Sequence, residues 1–359
     1  MLVLQGSGGP SRANASVAPP APVQWGLYDP AVPGNMAALN TDESAIGKRA
    51  GIVMWYEHWF FNYGGTVYSW PCTPSYFSNI LQHGAIPMLS WSDDIAGDAT
   101  PFPNSNFNNN TVIAQLADTT TADYQEVLSY AKCLAAVPGP VYLRFDYEMN
   151  GNRSQDSPGL NGNAADGSSF RTLWQKVHDI FVAQHATNVK WVWAPNVEYT
   201  GSTHLCDPGP APLPAGQANV YPGDAYVDWM GVDGYNWGKQ LSQPDKTWQT
   251  LTQVFSPTIS HESECSTKPL MISEVSSVEA VATCDPEDVS AHDSKAAWII
   301  NGLASELPTA FPEVRAVVWF SQQNDACHDF RFNSSTASQE AFALAIGANP
   351  YYSGAPVVP

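Results

Sequence analysis

Pro140-Val-Tyr-Leu-Arg-Phe-Asp-Tyr-Glu-Met-Asn-Gly151 is a β-branched and aromatic run that closes on a carboxylate, Glu148. A second run, Lys268-Pro-Leu-Met-Ile-Ser-Glu-Val-Ser276, closes in the same way on Glu274, so both glutamates are expected where a strand gives way to a loop. Two carboxylates at two strand ends match what cleavage of a glycosidic bond requires. One is kept protonated for the leaving oxygen, and the other attacks the anomeric carbon or activates water.

Working outward, apolar runs of strand length recur at residues 23–28, 51–56, 85–91, 140–145, 189–194, 227–233, 269–274 and 314–320. Between most of them the spacing becomes helical, as at 122–136, 168–184, 246–255 and 294–307. Strands that are apolar almost throughout are those buried on both faces, and eight such units predict a closed (β/α)8 barrel, a TIM barrel with long loops on its catalytic face. Glu148 and Glu274 then close the fourth and seventh strands. No Gly-x-Gly-x-x-Gly turn follows any strand, which weakens a doubly wound sheet and leaves no cofactor expected. The long segments 93–121, 149–168 and 198–223 are expected to build the walls of a cleft.

Residues 1–22 lack the apolar content of a core and read as tag remnant plus flexible leader, with 23–359 as one domain. Fifteen basic against 34 acidic residues leave a net charge of −19, a field that repels nucleic acid, anionic lipid and acidic polysaccharide and favours a neutral partner. No run is long and apolar enough for a membrane span. Six cysteines without a CxxC pair fit up to three disulfides in an oxidising compartment better than zinc, so a secreted, processed, monomeric protein is expected. Cys284 and Cys327 are one conceivable pairing.

The segment Arg144-Phe-Asp-Tyr-Glu-Met-Asn-Gly151 resembles the Arg-x-x-His-Glu-Met-Asn-Gly motif of glycoside hydrolase family 26, known for β-mannanases and including β-1,3-xylanases and lichenases. The run Tyr221-Pro-Gly-Asp-Ala-Tyr-Val-Asp-Trp-Met-Gly-Val-Asp-Gly-Tyr-Asn-Trp237 is similar to that family's sixth strand, and Trp191-Val-Trp-Ala-Pro-Asn196 to its fifth. The resemblance covers roughly residues 23 to 345. It implies Glu148 as acid/base, Glu274 as nucleophile, Tyr235 orienting that nucleophile, Trp319 as floor of the −1 subsite, and a retaining endo-acting enzyme, with β-1,4-mannan as the default substrate. Arg144, Asn150, Trp91, Trp193 and Trp237 are the further substrate-binding candidates. Tyr147 departs from the family's usual histidine, and Asn152-Arg153 replaces aromatic residues of many mannanases. These changes point to altered subsites and keep β-1,3-xylan or β-glucan as alternatives, beside a carbohydrate-binding pseudoenzyme.

Each candidate also has a plainer reading. The tryptophans at strand ends stack on sugars or simply fill the core. Glu57 and His58 line the cleft or form a structural hydrogen bond, the second being commoner for such a neighbour pair. Asp146 is expected to pair with Arg144. His261-Glu-Ser-Glu-Cys265 reads as a solvated loop and not a metal site, and the acidic loop with Asp156 and Asp166 matches no EF-hand, so no metal is expected. Glu274 is expected to stay ionised beside Tyr235 and Arg144, and Glu148 to hold its proton through carboxylate repulsion.

Overall fold

The computed structural model describes residues 22–96, 109–150, 167–197, 206, 219–238, 247–279 and 294–354. The strands are β1 (Val23–Tyr28), β2 (Ile52–Tyr63), β3 (Thr66–Ser69), β4 (Ile86–Ala96), β5 (Val141–Phe145), β6 (Val189–Trp193), β7 (Trp229–Asn236), β8 (Leu270–Ser277), β9 (Val314–Phe320) and β10 (Tyr352–Ser353). Setting aside β3, an antiparallel return on the end of β2, and β10, a short addition to β1, the remaining eight are parallel neighbours. The ring closes where β1 pairs with β9 at Trp25↔Val317 and with β2 at Leu27↔Val53. This is the expected (β/α)8 barrel, and every predicted run is one of its strands.

Alternation along the strands builds two cores. Ile52, Met54, Ile86, Met88, Tyr142, Val192, Trp229, Met271, Ala316 and Val318 fill the barrel interior. Their neighbours Val53, Leu89, Leu143, Ile272 and Val317 face the helices. Burial on both faces is why the runs are apolar without a gap. The helices use ordinary start and stop chemistry. Thr121 caps Ala122–Ala135, and Thr250 with Gln253 forms a capping box at Leu251–Cys265. Gly47 and Gly84 end their helices in the left-handed region, where a side chain would be strained.

Three expectations need correction. Several strands run on past their predicted ends, so Glu274 lies inside β8 and Glu57 and His58 lie inside β2. His261–Cys265 is the last turn of a helix, carried on by the buried face of Ile259 and Glu262, and not a loop. Asp146 does not pair with Arg144, because the chain leaves the strand at that residue (φ 40°) and its carboxylate accepts from the Asp93 amide at 3.0 Å. Cys72 bonds to Cys133 and Cys206 to Cys265; Cys327 is also in a disulfide, while Cys284 lies outside the described residues, as do 1–21, Arg153, Asp156 and Asp166.

Among the described residues away from the barrel mouth, four carboxylates sit far enough inside for burial to raise them. Burial pushes Asp42 and Glu126 up to about 7 and Asp123 up to about 6, and it raises Glu57 as well. The folded chain therefore binds these protons more tightly than the unfolded chain does. The stability they contribute is complete below the ordinary carboxylate range and is lost as pH rises through 6 to 7. Melting temperature is expected to fall between pH 5 and pH 7 when followed by circular dichroism, and a rise over that interval would contradict the assignment. Above pH 7 the buried Lys295, lowered to about 7 by desolvation, acts with the opposite sign.

Candidate active site

Arg144 stands at the centre of the barrel mouth and is fully buried. Its Nη1 donates to Ser90 Oγ at 3.0 Å and meets Met54 Sδ, while Nη2 donates to Asp233 Oδ2 at 2.7 Å and to Glu274 Oε1. Burial opposes this charge, but Asp233 and Glu274 outweigh that and hold the guanidinium above its usual range. One cation thus faces two buried carboxylates.

Glu274 reaches this place through an irregularity in β8. Strand pairing slips beside it on both sides, between Val232 and Asp233 toward β7 and between Ile272 and Val275 toward β9. Ile272 and Val275 face the helices, and both residues between them turn inward: Ser273 donates to Asp233 Oδ1 at 2.6 Å and Glu274 meets Arg144. A bulge re-aims a side chain in just this way. Tyr56 donates to Glu274 Oε1 at 2.5 Å and Tyr235 donates to Oε2. Burial, reinforced by the charge of Glu274, raises both phenols well above their usual range, so each remains a donor across working pH. Glu274 is an acceptor at both oxygens.

Glu148 arrives from the turn after β5. Its φ is 57°, a left-handed conformation that costs a non-glycine residue about 1–3 kcal/mol. The turn is held from outside: Glu148 N donates to Ala194 O, and the Asn150 amide exchanges two 2.8 Å hydrogen bonds with the backbone of Asn196. Asn150 is thereby a brace for Glu148. Glu148, Asp233 and Glu274 each place an oxygen within 4.8 Å of the other two. Three carboxylates so close are also a donor set that a metal ion takes, but here the guanidinium of Arg144 supplies the countercharge to two of them. Burial, together with Glu274 and Glu148 and against Arg144, pushes Asp233 well above the carboxylate range.

Aromatic rings enclose the trio. Tyr147 lies over the Arg144 guanidinium at 4.3 Å and beside Tyr56 at 5.4 Å. Phe320 stacks on Tyr28 at 4.8 Å and meets Tyr235 edge-on at 5.6 Å. Trp237 packs by Tyr235, with Phe330 and His328 behind it. His58 is partly exposed at the rim and bonds to Asp94 and Ser92.

Arg144, Tyr147, Glu148, Tyr235, Trp237 and Glu274 are thus brought together. Four candidates are not. Trp319 faces the helices, packing on Phe342 and donating to Phe330 O, so the expected floor of the −1 subsite is not there; Phe320, one residue on, faces the mouth. Trp91 packs on Tyr130 and Trp59, and Trp193 donates to Val220 O, both outside the barrel wall. Glu57 is tied between Trp55 and Tyr130 beneath a helix. Asp233, Tyr56 and Phe320 were missed. Each lies two residues from an inward side chain, Tyr235, Met54 and Val318, and period-two counting from these would have found them.

Comparison with known proteins agrees with this geometry. The model of "Glycosyl hydrolase family 26" matches residues 79–285. Endoglucanase H of Acetivibrio thermocellus is 28% identical over 87% of the chain, which spans 29% of that relative's length. Among solved structures, a family 26 β-mannanase from Bacteroides ovatus superposes with a TM-score of 0.56 at 17% identity, over 92% of this chain and 89% of that one. The family 26 domain of a Prevotella bryantii endo-β-mannanase/endo-β-glucanase gives 0.57 at 16%, over 92% and 90%. A family match across more than half of the chain, on a barrel of this fold, makes the protein a glycoside hydrolase that belongs to glycosyl hydrolase family 26.

Proposed function

We propose that the protein is a secreted, retaining endo-β-glycosidase acting on a neutral β-linked polysaccharide, with a β-glucan as its substrate. The observation that carries the mechanism is the approach of Glu148 and Glu274 oxygens to within 4.8 Å. Retaining enzymes hold their carboxyl groups about 5–5.5 Å apart, whereas inverting ones leave about 6.5–9.5 Å for a water. In this reading Glu274, fixed by Arg144, Tyr56 and Tyr235, attacks the anomeric carbon as the glycosidic bond breaks. Glu148 gives its proton to the leaving oxygen, then takes one from the water that releases the sugar from Glu274. Two neighbouring carboxyl groups favour the protonated form of Glu148 in the resting site. Secretion is supported by the disulfides.

The choice of glucan over the mannan expected from the family rests on two points. The relative named as an endoglucanase matches over 87% of this chain at 28% identity. Tyr147, standing where the family motif has histidine, covers the guanidinium with a ring instead of offering an imidazole. The test is reducing-end release from mixed-linkage β-glucan, galactomannan, glucomannan and β-1,3-xylan, with proton NMR of the first anomer formed. Faster release from β-glucan with β-anomer first is expected. Preference for a mannan would overturn the substrate, and α-anomer first would overturn the mechanism.

Tyr235→Phe removes one donor to Glu274 and keeps the ring. A hydrogen bond to a charged group contributes about 1.5–3 kcal/mol, so kcat is expected to drop roughly 10- to 150-fold. Unchanged kcat would remove Tyr235 from the nucleophile's support.

A further inference from the structure

The β2–β3 hairpin carries aromatic side chains that barrel closure does not use. Strand β2 pairs with β1 as far as Met54 and with β4 as far as Phe61, and it ends at Tyr63, about 23 Å past Tyr56 at roughly 3.3 Å per residue, before returning as β3. Tyr63, Val67 and Tyr68 on this hairpin are 76%, 49% and 46% exposed, and only two other large apolar side chains among the described residues are comparably exposed. Phe61 and Tyr68 are cross-strand partners, so their rings share a face, and they stack at 5.4 Å and 24°. Trp70 meets Phe61 edge-on at 5.7 Å and lies 5.9 Å from His58. His58 follows Tyr56 by two residues on one face of the strand, and Tyr56 bonds to Glu274. A path of rings therefore leads from the nucleophile through His58 and Trp70 to Phe61 and Tyr68.

What covers this path can be read from its chemistry. Residues 59–70 contain no charged side chain in a chain of net charge −19, and the polar groups among them are neutral: the amide of Asn62, the hydroxyls of Tyr63, Thr66, Tyr68 and Ser69, and the indole N–H of Trp59 and Trp70. Aromatic faces ringed by neutral hydrogen-bonding groups complement pyranose rings, which are apolar on their C–H faces and hydroxylated at the edge. Nucleic acid also stacks on such rings, but it needs a cationic groove, which a net charge of −19 disfavours. Continuity with the catalytic mouth makes the occupant the same glycan chain.

We propose that the β2–β3 hairpin is a distal sugar-binding platform, on which Tyr68, Phe61 and Trp70 stack against units of the neutral β-glycan remote from the bond being cut. This rests on the glycan-cleaving reading of the site. The platform serves only substrates long enough to reach it.

The experiment compares wild type with Tyr68→Ala and Tyr63→Ala/Tyr68→Ala, whose side chains are exposed and support no core. Steady-state kinetics are measured on soluble mixed-linkage β-glucan and on a short aryl β-cellobioside confined to the sugars next to Glu148 and Glu274. Electrophoretic retardation in gels containing the polymer is run in parallel. The expected result is a rise in KM for the polymer of roughly tenfold, with the aryl glycoside unchanged and retardation weakened. Equal effects on both substrates, or unchanged polymer KM and retardation, would overturn the platform. If wild type cleaves neither substrate, the functional reading fails, and retardation in β-glucan, galactomannan and xylan gels still decides the platform. Weaker retardation of the variants in any of these gels supports it, and identical migration in all of them overturns it.

Discussion

Glu274→Ala is expected to lower kcat by on the order of 10⁴- to 10⁶-fold, because in the proposed mechanism it removes the atom that forms the covalent intermediate. Activity with an activated aryl β-glycoside should return on addition of azide, which enters from the face that the carboxylate vacates and gives the α-glycosyl azide. Glu148→Ala behaves differently. It leaves the first step open to a good leaving group, and azide then intercepts the glycosyl-enzyme to give the β-azide. A β-azide from the Glu274 variant would reverse the two roles. The folded state makes a companion prediction. Glu274 is one of the charges that hold the proton on Asp233, so taking it away lets Asp233 ionise as the partner of Arg144. The variant is expected to melt no lower than wild type, as when a functional charge is held against stability.

Arg144→Met should be the most destabilising single change at the site. Arg144 is fully buried, and its loss leaves Asp233 and Glu274 as neighbouring buried carboxylates with no cation. Breaking a buried ion pair from one side costs about 3–5 kcal/mol. The pH dependence carries the diagnosis. Arg144 now works against the burial that raises Asp233, so without it the folded protein holds that proton still more tightly than the unfolded chain. The variant's stability relative to wild type should therefore be best at low pH, where Asp233 is protonated with or without Arg144, and worsen as pH rises. Urea titrations at pH 5 and pH 8 measure this, and an equal loss at both would show that Arg144 does not act by compensating the two carboxylates. Activity should be lost at either pH, since Glu274, the proposed nucleophile, loses its contact with Arg144.

The sequence by itself determined the barrel and singled out two glutamates that the fold brings together. Strands buried on two faces must be apolar throughout, and a carboxylate at the end of such a run has few structural reasons to be there. The motif around Glu148 likewise pointed to Arg144, and the run into Trp237 pointed to Tyr235. Where alternation breaks or its phase is open, the face a side chain takes was decided only in three dimensions. Strict alternation in β8 would put Glu274 beside Ile272, toward the helices, and only the slip against β7 and β9 turns it inward next to Ser273. Trp319 and Phe320 are equally aromatic neighbours, and the register of β9 against β1 and β8 gives the mouth to Phe320. Period-two counting from Tyr235 puts Asp233 on the inward face but does not say what it meets there. A single acid in an apolar strand acquires meaning only when closure of the ring brings Arg144 across from β5. Periodicity is local and can be read along the chain. Register, bulges and the pairing of distant charges belong to the closed barrel, because each depends on where a neighbouring strand stops sliding.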